Sequence, residues 1–176
     1  MTAESASKDK PSLRTRIIVW NLRIIVGAVF ILSGFAKADD IYGFIFKIEE
    51  YLDVWGLSQP RSLVLVGAMA LSMMEFVFGC MLLLGCYRRV ITWLMTLIMA
   101  GMLPLTAYLF ISDPVPDCGC FGDFIILSNG ATFLKNILIT VALIYLIIYK
   151  KVSGLFGAYI QWLVATMCAA YIFIIG

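Results

Sequence analysis

Residues 17–36 read IIVWNLRIIVGAVFILSGFA, twenty positions that carry a single charge, Arg23. At 1.5 Å per residue such a helix spans about 30 Å, the thickness of a bilayer's hydrocarbon core. Further apolar runs follow at about 61–85, 90–111, 132–149 and 155–175. Hydrophobic residues make up 62% of the chain and charged residues 14%, with a mean hydropathy of +1.00. Soluble domains sit near 45–50% apolar and about 25% charged. The chain therefore reads as an all-α integral membrane protein of five transmembrane helices, one helical domain over 17–176 behind a flexible polar tail at 1–16. The first span is too long for a signal-peptide core and lacks a small-residue cleavage site, so it is read as retained.

Residues 39–56 break the pattern. Ile41, Phe44, Ile45, Ile48, Leu52 and Trp55 recur at helical spacing, while Lys47, Glu49, Glu50 and Asp53 take the other face. Asp39 or Asp40 suits the N-cap and Gly56 the C-terminal stop. This is an amphipathic helix for the interface or the bundle mouth, not a span. With the N-terminus inside, nine of the thirteen Lys and Arg residues (Lys8, Lys10, Arg14, Arg16, Arg23, Arg88, Arg89, Lys150, Lys151) fall on the cytoplasmic side, and Lys37, Lys47, Arg61 and Lys135 fall outside. That distribution follows the positive-inside rule and places residues 39–56 and the 112–131 segment on the outer face. In a bacterium that face is the oxidising periplasm.

The 112–131 segment concentrates the chemistry. It contains Asp117-Cys118-Gly119-Cys120-Phe121-Gly122-Asp123, preceded by Pro114 and Pro116 and followed by Asn129-Gly130, which reads as a loop. Cysteines two apart in extended chain place their Cα atoms toward the upper end of the disulfide range of about 4.4–6.8 Å. Such a bond is strained and exchangeable, and so small a ring is a weak staple. Gly119 and Gly122 supply the backbone freedom the ring needs. Asp117 and Asp123 disfavour the thiolates unless Lys135 or the following helix start offsets them. Two thiolates also suit a soft ion such as Cu(I), but zinc needs more ligands than the loop offers, and the acids are hard donors. No metal is assigned; a redox pair is the leading reading.

Inside the spans, Glu75 is the outlier, because intramembrane acids are costly and pair with something or mark function. Lys37 is its cationic partner if the first two spans pack antiparallel, and Ser33 is a hydrogen-bond candidate. Gly27, Ser33 and Gly34 read as a close-packing face. Pro104 interrupts the third span, with Thr106 placed to satisfy a freed carbonyl. Cys80 and Cys86 read as lone small hydrophobes, with Cys86 a loose candidate for an inside-facing thiol. Cys168 is a candidate third thiol. The chain holds no histidine, which removes His-ligated haem and zinc sites and Cys-His or Ser-His catalysis. No basic patch suits nucleic acid.

Three separated motifs resemble the MauE/DoxX family of small bacterial membrane proteins, in its MauE-like branch. They are Ser33-Gly34-Phe35-Ala36-Lys37; Glu75 with Gly79, Leu82-Leu83-Leu84 and Gly85; and Cys118-Gly119-Cys120-Phe121-Gly122 with Lys135-Asn136 downstream. The resemblance implies a DoxX-like four-helix transmembrane core, to which the fifth span is an addition, and a link to thiol-disulfide chemistry. In methylamine utilisation the related protein is implicated in maturing a disulfide-rich periplasmic subunit, and other relatives are associated with quinone-linked sulfur oxidation. These residues carry no methylamine-specific feature. The expected function is thus a thiol-disulfide redox protein of the bacterial inner membrane, with Cys118 and Cys120 exchanging with a periplasmic thiol protein or neighbouring membrane protein. Asp117, Gly119, Gly122, Asp123, Lys135 and Asn136 would support the loop, and quinone is the alternative electron partner. The rival expectations are a non-enzymatic membrane scaffold and a small-molecule transporter using Glu75.

Overall fold

The computed structural model describes residues 12–57, 59–112, 119, 127–149 and 158–176. Six helices account for most of them: α1 (Leu13–Asp39), α2 (Ile41–Val54), α3 (Arg61–Leu84), α4 (Arg88–Ser112), α5 (Asn129–Ile148) and α6 (Ala158–Ile175). Of these α1, α3, α4 and α5 are long and apolar enough to cross a membrane. Their outward faces stay apolar: Leu97 is 70% exposed and Ile111 81%. In water such a belt would be a large sticky patch, and in a bilayer it is the lipid contact. The multi-pass membrane character expected from composition follows directly.

Caps explain the boundaries. Ser12 accepts from the Thr15 amide at 3.2 Å, so α1 begins four residues earlier than the apolar run does. Asp40 starts α2 by accepting from the Gly43 amide at 3.0 Å. Gly56 and Gly85 both take the left-handed conformation (φ +66° and +76°). In each case the following amide reaches back five residues, Leu57 to Leu52 and Cys86 to Met81, both at 2.8 Å. This is the Schellman stop, which suits glycine because a Cβ is disfavoured there. The start of α5 also differs from expectation. Asn129 and Gly130 do not close the preceding loop but open α5, because Ser128 caps the helix one position earlier, accepting from Ala131.

The bundle is built on α1 and α3, which run antiparallel and in close contact. A Cβ on Gly34 would lie 2.5 Å from the Phe76 amide nitrogen and 2.7 Å from the Ser72 carbonyl oxygen. A Cβ on Gly79 would meet the Gly27 carbonyl oxygen and the Ile31 nitrogen, each at 2.8 Å. Backbone sits against backbone, as small residues permit in membrane helices. Helices α4 and α5 pair with each other and complete a core in which Val19, Phe30, Leu82, Met95 and Leu143 meet. Helix α2 lays Ile41, Phe44 and Ile45 on Val64 and Ala68 of α3. Trp55, grouped with that apolar face in the sequence, is instead 51% exposed beyond the end of α2.

The two ends of the bundle differ in charge. At one end Arg23, fully buried, donates to the Leu82 carbonyl at 3.2 Å, and Arg88 donates to the carbonyls of Leu146 and Tyr149. Each arginine thus covers the carbonyl terminus of a helix, where a cation is favoured. The other end carries α2, the start of α5 and Gly119. Helix α6 runs antiparallel to α3 along its flank: Trp162 meets Tyr87, Tyr171 meets Phe76, and Gly176 rests on Ala38.

Close packing gives the first test. Gly34→Ala or Gly79→Ala forces backbone apart and should destabilise the fold by ~1–3 kcal/mol. Gly101→Ala, with nothing within 4 Å of its Cβ position, should be neutral or slightly stabilising. Unfolding midpoints in a single detergent compare the three. Equal midpoints would contradict the close α1–α3 contact.

Candidate functional site

The buried polar centre lies where α1, α2, α3 and α5 converge toward the Lys37 end. Side chains lean toward the N-terminus of their own helix, so in an antiparallel pair Lys37 and Glu75 lean toward each other. Lys37 Nζ lies 2.5 Å from Glu75 Oε2 and donates to Ser33 Oγ at 2.8 Å; Ser33 in turn donates to Glu75 Oε2 at 2.8 Å. Lys37 is 1% exposed and Glu75 4%. The Phe44 ring lies 5.4 Å from the ammonium, adding a cation–π contact from α2.

Helix α5 brings a second polar group to this centre. Asn136 Nδ2 donates to Thr106 Oγ1 at 3.2 Å, and both residues are buried. Thr106 in turn donates to the carbonyls of Met102 and Leu103 at 2.9 and 3.2 Å. The carbonyl that Pro104 leaves without its helical partner is that of Ala100, so Thr106 does not serve it as expected; its hydroxyl is committed one turn further on. A cavity of about 20 Å³ lies between Lys37, Glu75, Ser33, Lys135 and Asn136. That is room for a single water with several polar partners. The arrangement neutralises a carboxylate in the membrane interior and leaves one hydratable spot beside it.

The loop residues Asp117, Cys118, Cys120, Gly122 and Asp123 lie outside the described residues. Gly119, between the two cysteines, is described. It is buried, holds φ +63°, and sits against α2, where a Cβ would lie 3.0 Å from Lys47 Cγ. Spacing puts Lys47 on the polar face of α2, and Gly119 rests against its stem, a contact no local pattern encodes. Lys47 also pairs with Glu50 at 3.2 Å.

The remaining cysteines are distributed differently from the expectation. Cys80 is not alone: it and Cys168 pack against the same cluster, Ala38, Phe76 and Ile172, between α3 and α6. Cys86 is fully buried beside Arg23, and burial pushes its thiol up despite that arginine. A cysteine reachable from the Arg23 end is therefore not supplied by Cys86. Arg23 itself was read only as a topogenic charge, and its role at the end of α3 could not be seen without the α1–α3 pairing.

The ion pair should behave as a unit. Lys37→Met or Glu75→Leu alone leaves an uncompensated buried charge and should cost about 3–5 kcal/mol, whereas the double replacement should recover most of that loss. A thermodynamic cycle on purified protein checks this; simple additivity would mean that the two groups do not depend on each other.

No curated protein and no solved structure gives a significant match to this chain. The sequence does match the family described as "Methylamine utilisation protein MauE", over residues 15–149. That stretch contains all but the first two residues of α1, all of α2 to α5, the buried Lys37–Glu75 pair and the whole cysteine loop, and it makes up most of the 176 residues. The chain belongs to the MauE family.

Proposed function

We propose that this chain is a membrane accessory protein that exchanges thiol and disulfide, through Cys118 and Cys120, with a partner protein on the outer face of a bacterial inner membrane. The observation that carries the reading is the seat of Gly119. A left-handed glycine separates the two cysteines and is fixed against Lys47, which supports a bend between them. A bent Cys-Gly-Cys unit suits a strained, exchangeable disulfide. In the exchange, a partner thiolate attacks one sulfur of the loop disulfide, the S–S bond breaks and the other loop cysteine leaves as thiolate; the partner's second thiolate then attacks the partner sulfur of the mixed disulfide, forming the partner's disulfide and releasing the loop dithiol, and the same steps run backwards carry the two electrons the other way.

Orientation follows from charge. Arg14, Arg16, Arg23, Arg88 and Arg89 gather at one end, and Asp39, Asp40, Glu49, Glu50 and Asp53 at the other. The positive-inside rule then makes the Lys37 end the outer one and puts the loop in an oxidising compartment. Helix α6 accompanies α3 along its flank and is read as a fifth span. Its carboxyl end then lies outside.

The family's methylamine description fits an accessory role in the maturation of a secreted partner, although no residue here is specific to the amine. Lys37 and Glu75 serve as the anchor that holds α1 and α3 together. Quinone as electron acceptor would call on Glu75 for proton movement. A transporter reading is weaker, because Glu75 Oε2 is already bonded to an ammonium and a hydroxyl, which a transported cation would have to displace.

Thiol trapping in intact cells tests the proposal. In a variant retaining only Cys118 and Cys120, a membrane-impermeant alkylator should label the pair only after mild reduction, and either single cysteine should accumulate a mixed disulfide with a partner. If both thiols are free and labelled without reductant, the exchange reading is wrong. Gly119→Val, which keeps both cysteines but strains the bend, should slow exchange by at least several-fold. Glu75→Gln should block reoxidation of the pair, and not capture of the partner, only if protons pass through it to a quinone.

A further inference from the structure

Among the described residues Arg23 is the largest side chain with no exposed surface, and the site described above does not use it. A guanidinium carries five N–H donors and is always charged in proteins. Its Nε–H donates to the Leu82 carbonyl at 3.2 Å. Nη1 and Nη2 are buried and make no hydrogen bond. Nη2 occupies the space that a Cβ on Gly85 would take. Gly85 opens the short turn that leads into α4 at Arg88. Four donors and a full charge thus end, unpartnered, at the turn between α3 and α4.

The described residues supply no counterion there. Asp39, Asp40, Glu49, Glu50 and Asp53 sit on or next to α2. Glu75 lies nine residues, about 14 Å, before the end of α3 and is taken by Lys37. The carbonyl end of α3 counts as about half a negative charge, and the start of α4 as about half a positive one, so the two roughly cancel. The first turn of α4 holds Arg88 and Arg89 and no acid. First-turn amides have no partner inside their own helix, which suits an anion. Arg23 therefore keeps about one uncompensated positive charge beside an anion-seeking helix start. The Trp20 ring, 4.5 Å from the guanidinium, offsets only part of what a buried ion loses on leaving water.

We propose that the Arg23 guanidinium and the start of α4 form a site for a phosphate group, offered by the headgroup of an anionic phospholipid or by the free anion. The planar fork matches two phosphate oxygens at once, and the helix start adds backbone donors. A phosphodiester, with one negative charge, balances the charge left over. The level of the site favours the lipid source. Arg23 lies beside the carbonyl end of α3, where an apolar span stops and headgroups begin. Exposed Arg14, Arg16 and Arg89 at the same end draw anionic lipid toward it. Since Arg23 is fully covered, entry requires the half-buried Trp20 ring to turn aside. Once seated, the phosphate ties α1 to the α3–α4 turn. This inference does not rest on the loop chemistry proposed above.

The test uses the full chain, delipidated in a neutral detergent at fixed ionic strength. Phosphatidylglycerol, phosphatidylcholine and inorganic phosphate are added separately, and Tm and the intact mass of the complex are read. The expected result is a saturable rise of several degrees in Tm with phosphatidylglycerol, and a one-to-one adduct. Phosphatidylcholine, whose phosphate is neutralised by its own cation, should need at least tenfold more. A rise with phosphatidylglycerol alone assigns the seat to a lipid headgroup; a rise with inorganic phosphate as well assigns it to the anion itself. Arg23→Gln, which keeps a donor for Leu82 but removes the charge, should abolish the rise. Arg23→Lys keeps the charge, loses the fork and should weaken binding at least fivefold, which covers the case of a glutamine variant that folds poorly. Arg16→Gln, on an exposed cation of the same helix, should leave binding unchanged. The proposal is overturned if neither phosphatidylglycerol nor inorganic phosphate raises Tm, if phosphatidylcholine acts equally well, or if the Arg23 variants bind as the Arg16 variant does.

Discussion

Everything in this bundle is arranged around the short distance between Lys37 and Glu75. An ammonium and a carboxylate away from water are tolerable only when they touch and their remaining hydrogen-bond capacity is met. Ser33 meets part of it, and Phe44 covers the ammonium. That geometry requires α1 and α3 to approach until their backbones meet. Gly27, Gly34 and Gly79 are the residues that allow it. The glycines and the ion pair are thus one constraint: the glycines permit the approach, and the charges penalise any drift apart.

The two ends of the bundle then divide the work. At the Arg23 end, buried or half-buried arginines cover the carbonyl termini of α3 and α5, which closes that end electrostatically. Cys86, the cysteine described at that end, is sealed in the core. At the Lys37 end the helix termini are joined to an amphipathic helix whose polar face supports Gly119. The close-packed α1–α3 pair lies beside α2 at this end.

The helices were legible because each is bounded by strong local signals: apolar runs of membrane length, Asp40 before α2, and glycines at 56 and 85. The family was legible from three motifs that fall on α1, on α3 and between α4 and α5. The start of α5 was misread because Asn-Gly is a turn signal, and a serine cap just upstream outweighed it. The pairing of Lys37 with Glu75 could be anticipated only given antiparallel packing, which a sequence permits but does not state. The packing of Cys80 and Cys168 on one cluster and the seat of Gly119 on Lys47 join residues 88 and 72 positions apart, beyond the reach of any local period.

Three thiol environments follow from one fold, and solvent access sets what each can do. Thiolate chemistry needs water or a nearby cation to stabilise the ion. Cys86 has the cation but no access, and burial wins, so it packs as a small hydrophobe. Cys80 and Cys168 are half-buried on one apolar cluster between α3 and α6 and pack as small hydrophobes. Cys118 and Cys120 lie in the segment that joins α4 to α5, flanked by two carboxylates, and the glycine between them rests on a lysine stem. A protein lacking histidine has few other means of tuning a thiol. It can do so by the phase in which each cysteine is placed, and the close-packed α1–α3 pair holds the bundle against which those positions are defined.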